Sequence, residues 1–453
     1  MRHLTPQTIA GITGGEYIGD ESGRSVRVVG AVRDNREVRP GNLFVCIQGE
    51  RVDGHSFVNR AFESGAACCL AEHAISDAKG PYVLVESTLE ALKALGEHHR
   101  SLFDIPVIGI TGSVGKTTAK ELIAAALGAK LRVLKTPMNL NNELGVPLTL
   151  LSLDEQHEAA VIEMGISEFG EMSRLAQMVR PDIFVMTKIG YSHVDELGDL
   201  HGVLKAKSEA LAFMDPGGVA ILNGDDDMLR EYDPGMRKIT FGLGEHNDFR
   251  AENVRMEGTD AVVCDIVSGM SLIPVRIPAY GSHLAALAPA AAVVGRLLGL
   301  TDEEISKGLL SYAPIGGRSN VTDTGTITII DDCYNANPHS VKAALTSLSA
   351  LPGRRVAILG DMLGLGERSD GLHREIGSVA ACGGVDILIC CGDKAAILYK
   401  AYRQTSDKAA YYYPAKADLI AALPGLIQKG DYVLVKASHS MRFEEILPYL
   451  KEI

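Results

Sequence analysis

Apolar positions are distributed along this chain in two manners. Up to about residue 100, short apolar runs alternate with turns, as in SVRVVGAVRDNREVRPGNLFVCIQG, followed by a helix-like AFESGA and a strand at AACCLAE. From Ile105 the pattern changes to compact Val/Ile/Ala runs, each followed by a stretch of helical periodicity. Val107–Ile110, LRVLKT (131–136), AAVIEMG (159–165), DIFVMTKIG (182–190) and GGVAILNGDD (217–226) read as strands, apolar along their length as strands covered on both faces are. Strands alternating with helices predict a parallel, doubly wound sheet. Residues 258–280 read as antiparallel strands extending it, SHLAALAPAAAVVGRLLGL and DEEISKGLLSY as helices, and the Pro314–Arg318 run (PIGGR) as a linker. A second alternating pattern follows, with strands at 326–332, 355–361, 385–391 and 432–438. The fold class is therefore α/β. At 453 residues the chain exceeds one ordinary core, and three domains are expected: 1–100, 101–314 and 315–453.

Composition narrows the partners. Net charge is −13 and no lysine/arginine block occurs, which disfavours nucleic acid and anionic membranes. An anionic substrate would need local basic groups in its cleft. The eight cysteines include the pairs Cys68-Cys69 and Cys390-Cys391 but no C-x-x-C, so they read as buried, reduced core thiols. No signal-peptide pattern opens the chain, and no apolar run approaches the ~20 residues that cross a bilayer. A cytoplasmic monomer is the expectation.

Candidate chemistry begins where the first central strand ends. PVIGITGSVGKTTAK passes from an apolar strand through a glycine-bearing turn, Thr111, Gly112, Ser113, Val114 and Gly115, into Lys116, Thr117 and Thr118 at the start of a helix. Such an arrangement wraps backbone N–H groups around phosphates, with Lys116 on the β/γ oxygens and the Thr117 hydroxyl on Mg²⁺. The position five before Gly115 holds Ile110, so the match is to a shorter TGSxGKT loop.

In doubly wound sheets ligands lie beyond the carboxyl ends of the strands, which directs attention to the residues there. Glu163 lies inside apolar VIEMGIS, where a carboxylate is costly without a partner; a nucleotide-bound Mg²⁺ and a structural ion pair are both possible partners. His193 follows the 182–190 strand and reads either as a loop histidine or as a metal or phosphate contact. Asn139, Asn141 and Asn142 read as caps of the next helix. Lys205 and Lys207 read as surface lysines, and the clusters at Arg33–Arg36 and Gly49–His55 as surface loops. In the second α/β pattern, polar residues gather at strand ends: Asp331-Asp332, Tyr334–Pro338, Asp361, then Lys436 with Ser438 and His439. One nucleotide site faced by a second α/β domain suggests an enzyme that closes around ATP and another substrate.

Taken together, TGSVGKTT, NNELGVP, VIEMG, the strand-end His193, AKSEAL, GGR at 316–318, DDCYNANP and LGDMLGLGE occur in an order that resembles the Mur ligase family of ATP-dependent amide-bond ligases. The resemblance covers almost the whole chain. It implies a small α/β UDP-binding domain, a central P-loop ATPase-like domain with a mostly parallel sheet, and a C-terminal Rossmann-like domain.

It also implies roles. Lys116 and Thr117 would hold the ATP phosphates and a first Mg²⁺, Glu163 and His193 a second Mg²⁺, and Lys207 would be carbamylated by CO₂. Arg318 would contact the γ-phosphate, Asn335 and Asn337 the adenine, and Asp361 the ribose. Asn139 and Asn142 would belong to the substrate side of the cleft, and Asp34, Asn35 and Arg36 with Asp53, Gly54 and His55 would lie near the uridine. The family more often carries Ser at position 35. The implied reaction joins D-alanyl-D-alanine to UDP-N-acetylmuramoyl-tripeptide through an acyl phosphate. Rival readings are a Mur-type ligase with another amine substrate and a regulatory ATPase without ligase activity.

Overall fold

The structure, a computed structural model, describes residues 4–49 and 52–453, so Glu50 and Arg51 of the 49–55 loop lie outside the described residues. Its architecture is three sheets, each with helices packed on both faces. The first sheet contains β1 (Glu16–Ile18), β2 (Gly30–Val32), β3 (Asn42–Val45), β4 (Cys68–Ala71) and β5 (Tyr82–Leu84), in the order β1-β5-β4-β3-β2. All pairs are parallel except β1 with β5. The helices Pro6–Thr13 and Thr88–Ser101 flank it, each started by a side chain, Thr5 and Ser87, that accepts a free N–H of the first turn. Both lie in stretches that the apolar pattern does not mark as helix.

The central sheet has nine strands: β6 (Val107–Thr111), β7 (Val133–Lys135), β8 (Ala159–Glu163), β9 (Ile183–Met186), β10 (Val219–Asn223), β11 (Arg237–Gly242), β12 (Phe249–Glu257), β13 (Ala261–Ser268) and β14 (Ser271–Ile277). Their order is β14-β13-β12-β11-β10-β9-β6-β8-β7. The strands from β7 to β12 pair in parallel, and β12 to β14 form an antiparallel extension. That extension starts earlier than the 258–280 reading, because β12 is rich in charged residues, is exposed over residues 253–255 and lacks a compact apolar run.

The order of strand addition reverses at β6, which pairs in parallel with β8 on one side and β9 on the other. The carboxyl ends of these three strands therefore frame the crevice where such sheets bind ligands. One face of the sheet buries the helices Lys116–Gly128, His283–Leu297 and Asp302–Leu310 in an Ala-, Val- and Ile-rich core. The other face buries Met172, Leu175, Val179, Val203 and their neighbours.

The third sheet contains β15 (Asn320–Asp323), β16 (Thr328–Asp331), β17 (Arg354–Gly360), β18 (Ile387–Cys391), β19 (Ala409–Tyr413) and β20 (Asp431–Lys436), ordered β15-β16-β20-β17-β18-β19. Only the β15–β16 pair is antiparallel. A core lies on each side of it.

All eight cysteines are free thiols. Seven are buried, but Cys382 is exposed, which corrects the expectation of a wholly buried set. It is the last residue of the helix Ser369–Cys382, on a face turned away from the sheet. Among the described residues no helix is long and apolar enough to cross a membrane.

Candidate active site

The glycine loop joins the end of β6 to the helix Lys116–Gly128. Gly112 and Gly115 both have positive φ, +145° and +86°, conformations that a side chain would strain. Gly115 precedes the helix Lys116–Gly128 without any side-chain cap, so N–H groups of its first turn remain available to an anion. The loop is seated on neighbouring strand ends. The Ser113 N–H donates to the Lys188 carbonyl at 2.7 Å, the Ser113 hydroxyl to the Gly190 carbonyl at 2.9 Å, and the Thr111 hydroxyl to the Met164 carbonyl at 2.8 Å. Lys116 folds back to donate to the Gly112 carbonyl at 2.7 Å. Burial lowers the pKa of its ammonium; Glu163 opposes that shift and Arg318 adds to it, so all three share one cleft.

Glu163 closes β8 and is almost wholly buried, at 1% exposure. Its Oε2 accepts from the Thr117 hydroxyl at 2.9 Å and its Oε1 from Asn141 Nδ2 at 2.8 Å. Among the described residues its only cationic neighbour within ion-pair range is Lys120, at 3.8 Å. Lys120 is fully buried and is tied to the Glu121 carboxylate at 3.0 Å and to the Thr136 and Met138 carbonyls at 2.7 and 3.3 Å. An ammonium so committed only partly neutralises Glu163. A buried pair of oxygen donors, Thr117 and Glu163, suits Mg²⁺.

His193 takes a left-handed backbone, φ 55°, ahead of the one-turn helix Val194–Leu197. The residue is exposed, yet the protein around its ring lowers its pKa, and the charges of Lys207 and Lys116 lower it further. A neutral imidazole is the form that ligates a metal.

Lys207, read from the sequence as a surface lysine, is buried at 1% exposure. It makes no hydrogen bond or ion pair with any described residue. Burial, with Lys116 nearby, pushes its pKa well below the ordinary lysine value, against a counter-pull from Glu171. Burial of this kind favours the neutral, nucleophilic form of an amine.

The asparagine loop divides its labour differently from the capping reading. Asn142 accepts the Gly145 N–H at 2.9 Å, but the helix Gly145–Leu150 begins at Leu144 with no side-chain cap. Asn139 is exposed and offers its carbonyl to the Asn141 N–H at 2.7 Å. Asn141 is the residue turned towards Glu163.

The third domain presents its polar strand ends to the same side. Arg318 stacks on Tyr334, 3.9 Å from the ring centre. Lys436 donates to Asp332 Oδ2 at 2.6 Å and to the Asn335 carbonyl at 2.8 Å, which pins the 332–337 loop. Asn337 caps the helix Pro338–Ser349 through the Ser340 N–H, 2.9 Å, so its side-chain oxygen is already engaged. Asp361 accepts the Ala395 N–H at 2.7 Å, and burial raises its pKa. Tyr280 Oη and His283 Nδ1, at the central edge of this joint, are buried without a hydrogen-bond partner.

The residues expected near uridine lie on two loops of the first domain, one after β2 and one after β3. Arg36 clamps Asp34 through Nε and Nη2 at 2.9 and 2.6 Å, hydrogen bonds that bring the Asp34 pKa down to about 2. Asn35 Nδ2 is buried and unpartnered. Gly54 leaves no room for a side chain, since a Cβ would lie 2.7 Å from the Ile47 nitrogen.

Asp53, His55 and His73 bring possible metal-ligating atoms within 4.8 Å of one another. Both His55 nitrogens are in use, however. Nδ1 pairs with Asp53 at 2.6 Å and Nε2 accepts the Glu72 N–H at 2.9 Å, so a cation on Nδ1 would put a proton on Nε2 against another donor.

The sequence reading missed Lys120 and the role of Asn141. Lys120 sits beside acidic Glu121 as an exposed helix lysine commonly does, and its carbonyl partners lie 16 and 18 residues away. The one local signal was its place among apolar and alanine positions of the helix.

Three segments match models of a known family: residues 30–100 its catalytic domain, 110–295 its middle domain and 317–439 its glutamate ligase domain, all of the Mur ligase type. UDP-N-acetylmuramoyl-tripeptide–D-alanyl-D-alanine ligase of Bacillus subtilis is 37% identical over 93% of this chain and 93% of its own. The Escherichia coli enzyme of the same name is 32% identical over 96% of both. The crystal structure of MurF from Acinetobacter baumannii superposes with a TM-score of 0.87 at 30% identity, covering 99% of each chain. MurF ligase from Thermotoga maritima in complex with ADP superposes at 0.82, with 30% identity over 94% of this chain and 97% of that one.

Proposed function

The chain belongs to the Mur ligase family, and from that premise we propose that it joins D-alanyl-D-alanine to UDP-N-acetylmuramoyl-tripeptide at the expense of ATP. The reaction is a step of peptidoglycan precursor synthesis, carried out by a cytoplasmic monomer. Residues 1–100 take the UDP end, 101–314 the ATP phosphates, and 315–453 the base and ribose. The observation that carries the reading is the buried Glu163, held by Thr117 and Asn141 within the field of Lys116.

A peptide carboxylate is a poor electrophile, and amide formation in water is uphill without activation. In the proposed sequence a carboxylate oxygen of the tripeptide attacks the γ-phosphorus, the bond to the β-phosphate oxygen breaks, and ADP leaves. The amine of D-alanyl-D-alanine then attacks the acyl carbon, its nitrogen gives up a proton to solvent, and inorganic phosphate departs with the electron pair of the broken C–O bond. Lys116 and Arg318 offset the charge that develops on the transferring group. The free N–H groups at Lys116–Gly128 orient the phosphates. Thr117 would hold one Mg²⁺, and Glu163 with His193 a second. When bound, Mg²⁺ supplies Lewis-acid polarisation of the phosphoryl oxygens. Lys207, whose neutral form burial favours, is the amine that would add CO₂, losing a proton and becoming a carbamate.

The test is coupled ADP release from UDP-N-acetylmuramoyl-tripeptide with D-alanyl-D-alanine supplied or omitted. Sustained release only with both substrates is expected. The Lys116→Ala variant should lose release while keeping its circular dichroism. Turnover indifferent to the dipeptide, or retained in that variant, would overturn the reading.

A further inference from the structure

His193 sits in a loop whose two ends are fastened to different domains. Val194 packs into the central core, alongside Leu197. Tyr191, two residues before the histidine, packs instead against the core of the C-terminal domain. The Tyr191 hydroxyl accepts a hydrogen bond from Arg368 Nη1, and the Arg368 guanidinium lies 4.9 Å from the centre of the Tyr191 ring. Beside this contact, Gly366, in a left-handed conformation, approaches so closely that a Cβ would stand 2.7 Å from Asp195 Oδ1. The strand-to-helix segment that bears Arg368 is rooted at the other end by the Met362 N–H on His373 Nε2, 3.0 Å, and the Leu363 N–H on the Ser438 hydroxyl, 2.8 Å. Asp361 stands at that root.

We propose that Arg368 and Tyr191 form an interdomain clasp through which the C-terminal domain holds the His193 loop in its left-handed turn. Arg368 is then a positioning residue, acting through Tyr191 on His193; its bearing on catalysis rests on the role assigned to His193 above. The physical reason is local. Between the Gly190 N–H on the Ser113 hydroxyl, 3.0 Å, and the buried Leu197, the loop has few other fastenings. Cation–aromatic stacking plus a hydrogen bond supplies one without burying the charge.

Hydrogen exchange of the full-length protein tests this directly. The Leu197 and Gly198 amides, which donate to the His193 and Val194 carbonyls at 2.9 Å each, are the reporters. Arg368→Ala should speed their exchange about tenfold, Tyr191→Phe by less, with amides of the Ser369–Cys382 helix unchanged. Arg368 is exposed, so the fold should survive the substitution. Unaltered exchange at 197–198 would overturn the clasp, whatever the enzyme's substrates prove to be. In the ligase assay, Arg368→Ala should lower kcat about tenfold in the native background and have no further effect in His193→Ala. An equal loss in both backgrounds would show that Arg368 acts elsewhere.

Discussion

Asn141 donates its side-chain amide to Glu163 Oε1 at 2.8 Å, while the Thr117 hydroxyl takes the other oxygen at 2.9 Å. One buried carboxylate is thus aimed by a loop residue on one side and the phosphate loop on the other. The two hydrogen bonds leave lone pairs on each oxygen for a cation.

Asn141→Ala should therefore cut kcat/KM for ADP release by roughly ten- to a hundredfold, the worth of a hydrogen bond to a charged group. Met138→Ala, whose side chain is exposed three residues away on the same loop, should change it by less than about twofold. Steady-state rates of the two variants side by side decide the matter; equal effects would mean that the loop acts only as a backbone scaffold.

Lys120 holds the same corner from beneath. Its ammonium bonds the Thr136 carbonyl at 2.7 Å and the Glu121 carboxylate at 3.0 Å at zero exposure. Removing a buried partner leaves the others uncompensated, so Lys120→Met should cost about 3 kcal/mol of stability. Urea denaturation monitored by far-ultraviolet circular dichroism measures it, and an unchanged midpoint would count against the arrangement.

Lys207 gives a pH signature. Burial lowers its folded pKa well below the ordinary value it regains on unfolding. Between those two values the unfolded chain carries a proton that the folded chain lacks, so this residue makes stability rise with pH there. Below the folded value both states are protonated and the full cost of the buried charge is felt. Lys207→Met should accordingly be more stable than the native chain at pH 6. The advantage should shrink by about 1.4 kcal/mol per pH unit across the window and vanish near the ordinary lysine pKa. Denaturation curves taken from pH 6 to 10 in carbonate-free buffer, as differences between the two proteins, would reveal a flat line if the side chain were solvated.

Local features carried much of this into the sequence. The strand–glycine turn–helix arrangement was legible because its parts are contiguous, and the pairing of Glu163 because a carboxylate in VIEMG is out of place unless something pairs with it. Lys207 was not, since an alanine-rich helix with two lysines looks the same whether a given lysine meets water or protein; only the family resemblance marked it. Lys120 and Asn141 depend on contacts 16 to 22 residues distant, and Tyr191 meets Arg368 across 177 residues. The helix Thr88–Ser101 went unread although Ser87 caps it, because its apolar stripe is diluted by three histidine or arginine residues near its end.

Gly112 leaves space for a hydrogen and nothing larger on the side that faces Thr187, whose hydroxyl in turn reaches the Val114 carbonyl at 2.6 Å. The floor of the glycine loop is consequently laid by Thr187, the residue just past β9. A methyl-for-hydroxyl exchange at Thr187 would be felt at the triphosphate as a change in loop shape, before any group that touches the nucleotide had been altered.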